Sequence, residues 1–460
     1  MIWSILKRAR GKHYLRIFSV IILLQMFILL SRYNKSSSIS EPIIEKVKTA
    51  PPSLNASVGL WQNVGGKSQF RFLVYSAFLD VRSSKRVAII AVTRTASRKK
   101  PALEVWCKFW YYSNDGVYVK LLPGNLKIIK EHWNLYYSAY YLFCPLELDE
   151  SVPDVVSVLT SPNQEPENML KIIRNYVGDA QWDPFELSLM VDNMAVCVKP
   201  LHYDYNKVME ILEFIELYRI MGVNHFFLYN HTVGPQVDCI LRHYEREGLV
   251  TILPWQLPIV SQKEIRTEGI FASLNDCLYR TMHRYSHTIF VDFDEFIIPR
   301  NSYNYSQLFQ SLSKEHDLKR ISSFSFRNAF FYRQWPDDER AKTANVTEKL
   351  IVLRKTRRKT ELHKHRTRSK MIVRPELIQM VGNHFIWEYY DKSKFDNMNV
   401  KESDAFMHHY RVCEFGGDDC VTSTSTVDTT AYRYKNPLID AVTSRYEKYF
   451  VKCNLADVVE

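Results

Sequence analysis

Between about Asn193 and Val291, short apolar runs alternate with helical patterns, and nothing else in the chain constrains its fold as strongly. MAVCVKP, VNHFFLYN, LVTILPW and HTIFVDF are short runs rich in β-branched and aromatic residues. Between the first two, NKVMEILEFIELYRIMG sets Val208, Ile211, Leu212, Ile215 and Tyr218 on one helical face and stops at Gly222. VDCILRHYEREG, ended by Gly248, and TEGIFASLNDCLYRTMHRYS supply two further helical patterns. Strands and helices alternating at this spacing predict βαβ units: a parallel sheet with helices on its faces, an α/β fold. In such sheets ligands sit at the carboxyl ends of the strands.

The fourth run ends in acid. TIFVDFDEFIIPR places Asp292, Asp294 and Glu295 at that carboxyl end. Carboxylates spaced D-x-D as a strand ends project to one side and can share a hard divalent cation, magnesium or manganese, through oxygen. A cation held there offsets the charge of a leaving diphosphate. The bland alternative is a solvated strand end whose acids cap the next turn, since D-x-D alone is a common pattern. A phosphatase-type aspartyl nucleophile is disfavoured, because Phe296 stands where Thr or Val would be needed.

Upstream the texture differs. FRFLVYSAFLDV, RVAIIAV, EVWCKFWYY, GVYVKLL and YYSAYYLFC, separated by Asn114–Asp115–Gly116 and Pro123–Gly124–Asn125, predict a small all-β module over 69–160. SPNQEPEN (161–168) reads as a linker, and 34–68, polar and proline-bearing, as a stem. Lys7, Arg8, Arg10, Lys12 and Arg16 precede the apolar run Ile17–Leu30, with only Arg32 and Lys35 closely following. This bias predicts a cytoplasmic tail (1–16), a signal anchor (17–33) and a lumenal body; no small-x-small site favours cleavage. Sequons at Asn34, Asn55, Asn230, Asn304 and Asn345 agree with a lumenal body. Eight cysteines without a C-x-x-C pair argue for disulfides over zinc. Cys107 with Cys144 and Cys413 with Cys420 are the expected pairs, while Cys197 and Cys277 read as buried thiols. The net charge of +11 suits an anionic partner. The basic run RKTRRKTELHKHRTRSK (354–370) has few aromatics, His363 and His365 with no Phe, Tyr or Trp, which argues against nucleic acid.

Taken together, CVKPLHYDY (197–205), EFIELYRIMGVNHFFLYN (213–230), LNDC (274–277), VDFDEFIIP, KMIVRPE (370–376), VGNHF (381–385) and HHYR (408–411) resemble the motif series of glycosyltransferase family 92 over roughly 190–415. The resemblance implies a GT-A fold in 191–415, with 416–460 as an extension, and a Golgi membrane enzyme, single-pass type II. It implies inverting transfer of galactose from UDP-galactose, with Mn2+ or Mg2+, to fucose or galactose of a glycan. By motif, Asp292 and Asp294 fall on the family's metal-binding pair, and His409 or His384 would complete the site, His409 preferred. His408 would point away by strand alternation. Tyr203 would stack on the base, Asp276 (beside Asn275) would touch ribose, and Lys370, Arg374 and Arg411 would meet phosphate. Inversion needs a general base; Asp337, Asp338, Glu376 and Glu388 are candidates, with Glu388 preferred. A second reading is a membrane-anchored carbohydrate-binding protein on the same fold without activity. A third, a basic scaffold for acidic polysaccharide, rests on net charge alone.

Overall fold

The computed structural model describes Gln25 and residues 43–47, 54–65, 70–96, 103–148, 151–175, 193–341, 349–414 and 420–457. Met1–Glu45 and Lys46–Glu460 are separate compact units. The expected tail and anchor lie, apart from Gln25, outside the described residues. Among the described residues no helix is long and apolar enough to cross a membrane. The second unit holds all that follows.

Its first part is a ring of strands. Gly116–Ile128, Val105–Ser113, Val155–Leu159, Leu170–Ile173, Leu73–Asp80, Arg86–Arg94 and Tyr137–Pro145 pair in that order, and the last returns to the first. Closure depends on one long strand: Gly116–Gly124 pair with one neighbour and Asn125–Ile128 with the other. Along Arg86–Arg94, Val87, Ile89 and Ala91 fill the ring, while Ala88, Ile90 and Val92 pack outward against Phe271, Leu274 and Leu278. Both faces are covered, which is why RVAIIAV reads as an unbroken apolar run.

Two sequence boundaries are corrected here. Ser161–Asn168 is no exit from the module, because Leu170–Ile173 follows as a ring strand. Fully buried Asn168 fastens the intervening turn to Val158 N and O, each at 2.8 Å. Nor does the stem reach residue 68. Gln62–Asn63 pair with Leu73–Val74, Val64 is buried, and Gln62 exchanges two hydrogen bonds with the Met169 backbone at 2.7 and 3.0 Å.

The second part is a seven-stranded mixed sheet of β1 (Met194–Val198), β2 (His225–Asn230), β3 (Val250–Pro254), β4 (His287–Val291), β5 (Ile321–Phe326), β6 (Lys370–Val373) and β7 (Asp396–Asn399). The order is β3-β2-β1-β4-β6-β5-β7. The first four strands are parallel, and β6 runs antiparallel to β4 and β5. Helices α1 (Val208–Ile220) and α2 (Pro235–Arg246) connect β1 to β2 and β2 to β3, and α3 (Ile270–Thr281) leads into β4. The chain leaves β1 to one side for β2 and returns on the other as β4, so the sheet switches direction between the carboxyl ends of β1 and β4. A second sheet sets Ala405–Arg411 between Glu295–Pro299 and Asn328–Tyr332.

Two further expectations give way. The expected extension 416–460 is, over its described residues 420–457, no appendage: Tyr434, Leu438, Val442, Tyr449 and Leu455 are buried in the same core as α1, and Cys453 is bonded to Cys239 of α2. Cys197 and Cys277 are not thiols. Cys197 on β1 meets Cys277 on the covering helix α3, Cα atoms 6.1 Å apart, and the two form a disulfide. Cys107–Cys144 and Cys413–Cys420 pair as expected.

A buried ionic clamp ties the ring to the sheet. Asp80 accepts from Arg82 Nε at 3.0 Å, Arg86 Nη2 at 2.9 Å and the hydroxyl of Tyr279 on α3 at 3.0 Å. Arg82 also donates to Glu376 O at 3.1 Å and Ile378 O at 2.6 Å.

Candidate active site

The acidic stretch sits at the switch point. β4 ends at Val291, and Glu295 N donates to Asp292 O (3.1 Å) while the Glu295 carboxylate takes the Asp292 N–H (2.9 Å). Glu295 therefore braces the turn from within, and its side chain is 2% exposed. Phe293 anchors the other face against Phe214, ring centroids 4.7 Å apart. Asp292 and Asp294 are left at the surface of the crevice, 27% and 32% exposed.

Cations surround them. Val198 of β1 is in register with Val291 of β4, so Lys199 lies beside Asp292 and its ammonium pairs with Oδ2. Lys370, opening β6 and 1% exposed, reaches Glu295 Oε2 at 3.1 Å and Asp292 Oδ2 at 3.6 Å. Glu295 is in register with His409, and His409 Nε2 lies 3.2 Å from Asp294 Oδ2. Burial opposes ionisation of Asp292, yet Lys199 and Lys370 hold its carboxyl well below the usual range. His409 lowers the Asp294 carboxyl, also against burial, and Asp294 in turn raises His409 against its burial. Glu295 goes the other way, pushed up by burial and by Asp292.

Carboxylate and imidazole are donor types that suit a divalent ion, but among the described residues Asp292, Asp294 and His409 do not bring one ligand atom each within 4.8 Å of one another. Asp292 Oδ1 is buried and has no hydrogen-bond partner. Asn328 Nδ2 lies 3.1 Å from His409 Nδ1, and Asn328 Oδ1 is buried without a partner. Turned over, that amide would accept the Nδ1–H, satisfy its oxygen and leave Nε2 as a lone-pair donor. His408 faces the other way, fully buried and stacked between Phe331 and Phe406.

The remaining expected residues divide. His384 is turned to Asn383 and the Ser369 carbonyl rather than the carboxylates, and burial beside Lys370 pushes it down to about 3. Lys370 is at the site but grips the acids, with Asn383 Oδ1 at 3.1 Å, in place of the expected phosphate contact. Tyr203 is 78% exposed near the mouth of β1, its ring 4.2 Å from His202. Arg411 lies over Phe330, whose ring is 5.2 Å from His409, and pairs with Glu414 at 2.9 Å.

Asp276 is corrected outright. It is fully buried under the ring, bonded to Ser76, Tyr229 and Arg280, where no ribose can reach. Asn275 is equally enclosed by Tyr141 and Val381. Asp338 is spent on Arg340 and Thr356, Asp337 pairs with Lys355, and buried Glu376 takes the His283 N–H. Arg374, buried, donates to Lys319 O. Glu388 lines a cavity of about 590 Å³; Lys127 and Lys130 pair with it and hold it ionised despite its burial.

Lys199 was the residue that motif reading passed over. Its signal was available: it directly follows β1 as Asp292 directly follows β4, and adjacent parallel strands bring such positions together.

A family model described as glycosyltransferase family 92 matches residues 192–448. The Caenorhabditis elegans protein named glycosyltransferase family 92 protein F13G3.3 is 27% identical over 214 residues, and the one named beta-1,4-galactosyltransferase galt-1 is 28% identical over 193. Each match covers 42% of this chain, and the chain spans 42% of the length of each of these curated relatives. Among solved structures, a mycobacterial protein (11% identical, 52% of this chain and 72% of that one, TM-score 0.23) and S. aureus TarS (10%, 58% and 75%, TM-score 0.21) are too loosely superimposed to carry an argument.

Proposed function

The chain belongs to glycosyltransferase family 92, and from that membership we propose that it is a metal-dependent, inverting galactosyltransferase taking UDP-galactose to a glycan acceptor, with a GT-A architecture in its α/β part. One observation carries the reading: Asp292 and Asp294 stand at the sheet's switch point, with a buried, unpartnered Asp292 oxygen and His409 Nε2 3.2 Å from Asp294. The mostly parallel sheet supports the architecture, and the relative named a galactosyltransferase supports the sugar.

Asp292, Asp294 and His409 would hold the ion, Mn2+ or Mg2+, which supplies Lewis-acid charge at a diphosphate. Lys199 and Lys370 keep the acids ionised and fixed. Glu295 sets the turn that aims them. Arg411, paired with Glu414, would exchange that partner for an anion beside His409. Exposed Tyr203 at the mouth of β1 is available to a base. Glu388, ionised and lining the large cavity, is the proposed base that takes the acceptor hydroxyl's proton at a carboxylate oxygen.

Four disulfides support an oxidising compartment, and with the N-terminal apolar run we place the protein in the Golgi membrane, catalytic part lumenal. The test is UDP release from UDP-galactose on fucosylated and galactosylated glycans, with manganese or with chelator. Release in chelator equal to that in manganese would remove the metal from the scheme, and no release with any sugar nucleotide would remove the enzyme.

A further inference from the structure

The cavity of about 590 Å³ lies where the ring of strands meets the hairpin Ile378–Tyr389. Phe385, Trp387, Glu388 and Tyr389 come from the hairpin, Ser325 and Asn397 from the edge of the mixed sheet, and Lys130 from the ring. Half-buried aromatic rings with a few polar groups are what a sugar-sized ligand needs, one apolar face and several hydrogen-bond partners.

The wall is built, not incidental. Glu131, next to Lys130, takes the Asn383 N–H at 2.8 Å and the Trp387 Nε1–H at 3.2 Å. Gly382 makes that meeting possible: a Cβ there would lie 2.6 Å from Glu131 Oε2 and 2.7 Å from the Trp387 ring. Lys127 and Lys130 reach across to Glu388, the latter at 2.8 Å. Three residues of one ring segment, Lys127, Lys130 and Glu131, thus fix both the aromatic floor and the carboxylate. The same hairpin also touches the acid site, since Asn383, two residues before Phe385, holds Lys370 at 3.1 Å.

We infer that this cavity is the acceptor subsite, that Phe385, Trp387 and Tyr389 receive sugar rings of an oligosaccharide, and that the ring of strands is a specificity element because its Lys130 lines the cavity and its Lys127 and Glu131 hold the hairpin in place. This rests on the transferase reading. It gives the β-rich module a role in choosing the acceptor, beyond bracing the sheet.

The test uses the full chain in detergent with UDP-galactose and two probes, a fucosylated N-glycan core oligosaccharide and a β-galacto-oligosaccharide. For the better probe, Trp387→Ala is expected to raise acceptor KM about tenfold and Lys130→Ala about threefold, with donor KM within about twofold of the parent. An acceptor KM unchanged in both variants, or a donor KM that rises in step, overturns the inference. Lys130, whose side chain is 48% exposed, decides the matter if Trp387→Ala does not fold. Saturation-transfer NMR of the same probes separates the two readings. Binding that depends on Trp387 without any turnover keeps the cavity and sinks the transferase; turnover with unaltered KM sinks the cavity alone.

Discussion

Asp80 offers the sharpest test of what joins the ring to the sheet. Asp80→Ala removes a fully buried carboxylate from between Arg82, Arg86 and Tyr279. Arg82, its side chain 1% exposed, keeps two carbonyl acceptors but loses its counter-charge; Arg86, 18% exposed, recovers part of its loss from water. Removing one partner of a buried ion pair costs about 3–5 kcal/mol, and the remaining carbonyl bonds place this case near 3 kcal/mol. At roughly 2–4 °C per kcal/mol for a domain of this size, Tm should fall by about 6–12 °C. Differential scanning fluorimetry reads that shift, and hydrogen exchange should show protection lost in α3 and at 376–378. The physical claim is that an orphaned guanidinium does the damage. Asp80→Leu combined with Arg82→Met, which replaces the pair by apolar groups, should therefore melt above Asp80→Ala alone. A double variant no more stable than the single one, or a single-variant loss under about 1 °C, would refute the reasoning.

Three other outcomes are expected. Asp292→Asn and Asp294→Asn should each lower sugar transfer at least about 100-fold while melting near the parent, measured as UDP release with manganese. Cys453→Ser frees the helix Lys435–Tyr449 from α2 and should cost about 2–5 kcal/mol, seen as new proteolytic cleavage in the last thirty or so residues. Glu213, buried on α1 and accepting from Ile351 N and Val352 N at 2.9 Å each, has its carboxyl pushed up to about 8 by burial. A carboxyl raised on folding costs nothing below its unfolded pKa and progressively more above it, so parental stability should decline from about pH 4.5 to about pH 8; Glu213→Gln, which cannot ionise, should flatten that decline in melts across the range.

The alternation from Met194 to Val291 was legible because each βαβ unit is local: period, stop residue and strand composition lie within some thirty residues. The acid at the end of β4 was legible for the same reason. Asp276 shows where local reading ends. Its helical setting resembles that of any polar helix residue, and only Ser76, 200 residues earlier in the chain, shows that it is interior. Cys197 and Cys277 looked like core thiols for a related reason: apolar surroundings describe a buried disulfide equally well. The stem boundary failed because Gln62 is anchored by the Met169 backbone, a contact polar composition cannot announce. Lys199 needed the register of two strands, which period alone does not supply.

Circular pairing in the N-terminal module also shapes how the chain is made. Once Ile173 has emerged, every ring strand has both its neighbours, so among the described residues no ring strand offers a sticky edge to another nascent chain. The outward face is a different matter. Asp80 waits for Tyr279, 199 residues later, a gap of roughly 10–40 s at ~5–20 residues per second. For that interval Ala88, Ile90 and Val92 stand bare beside an Asp80–Arg82–Arg86 cluster still lacking its Tyr279 hydroxyl, and this patch is the point at which a folding helper has reason to hold the protein.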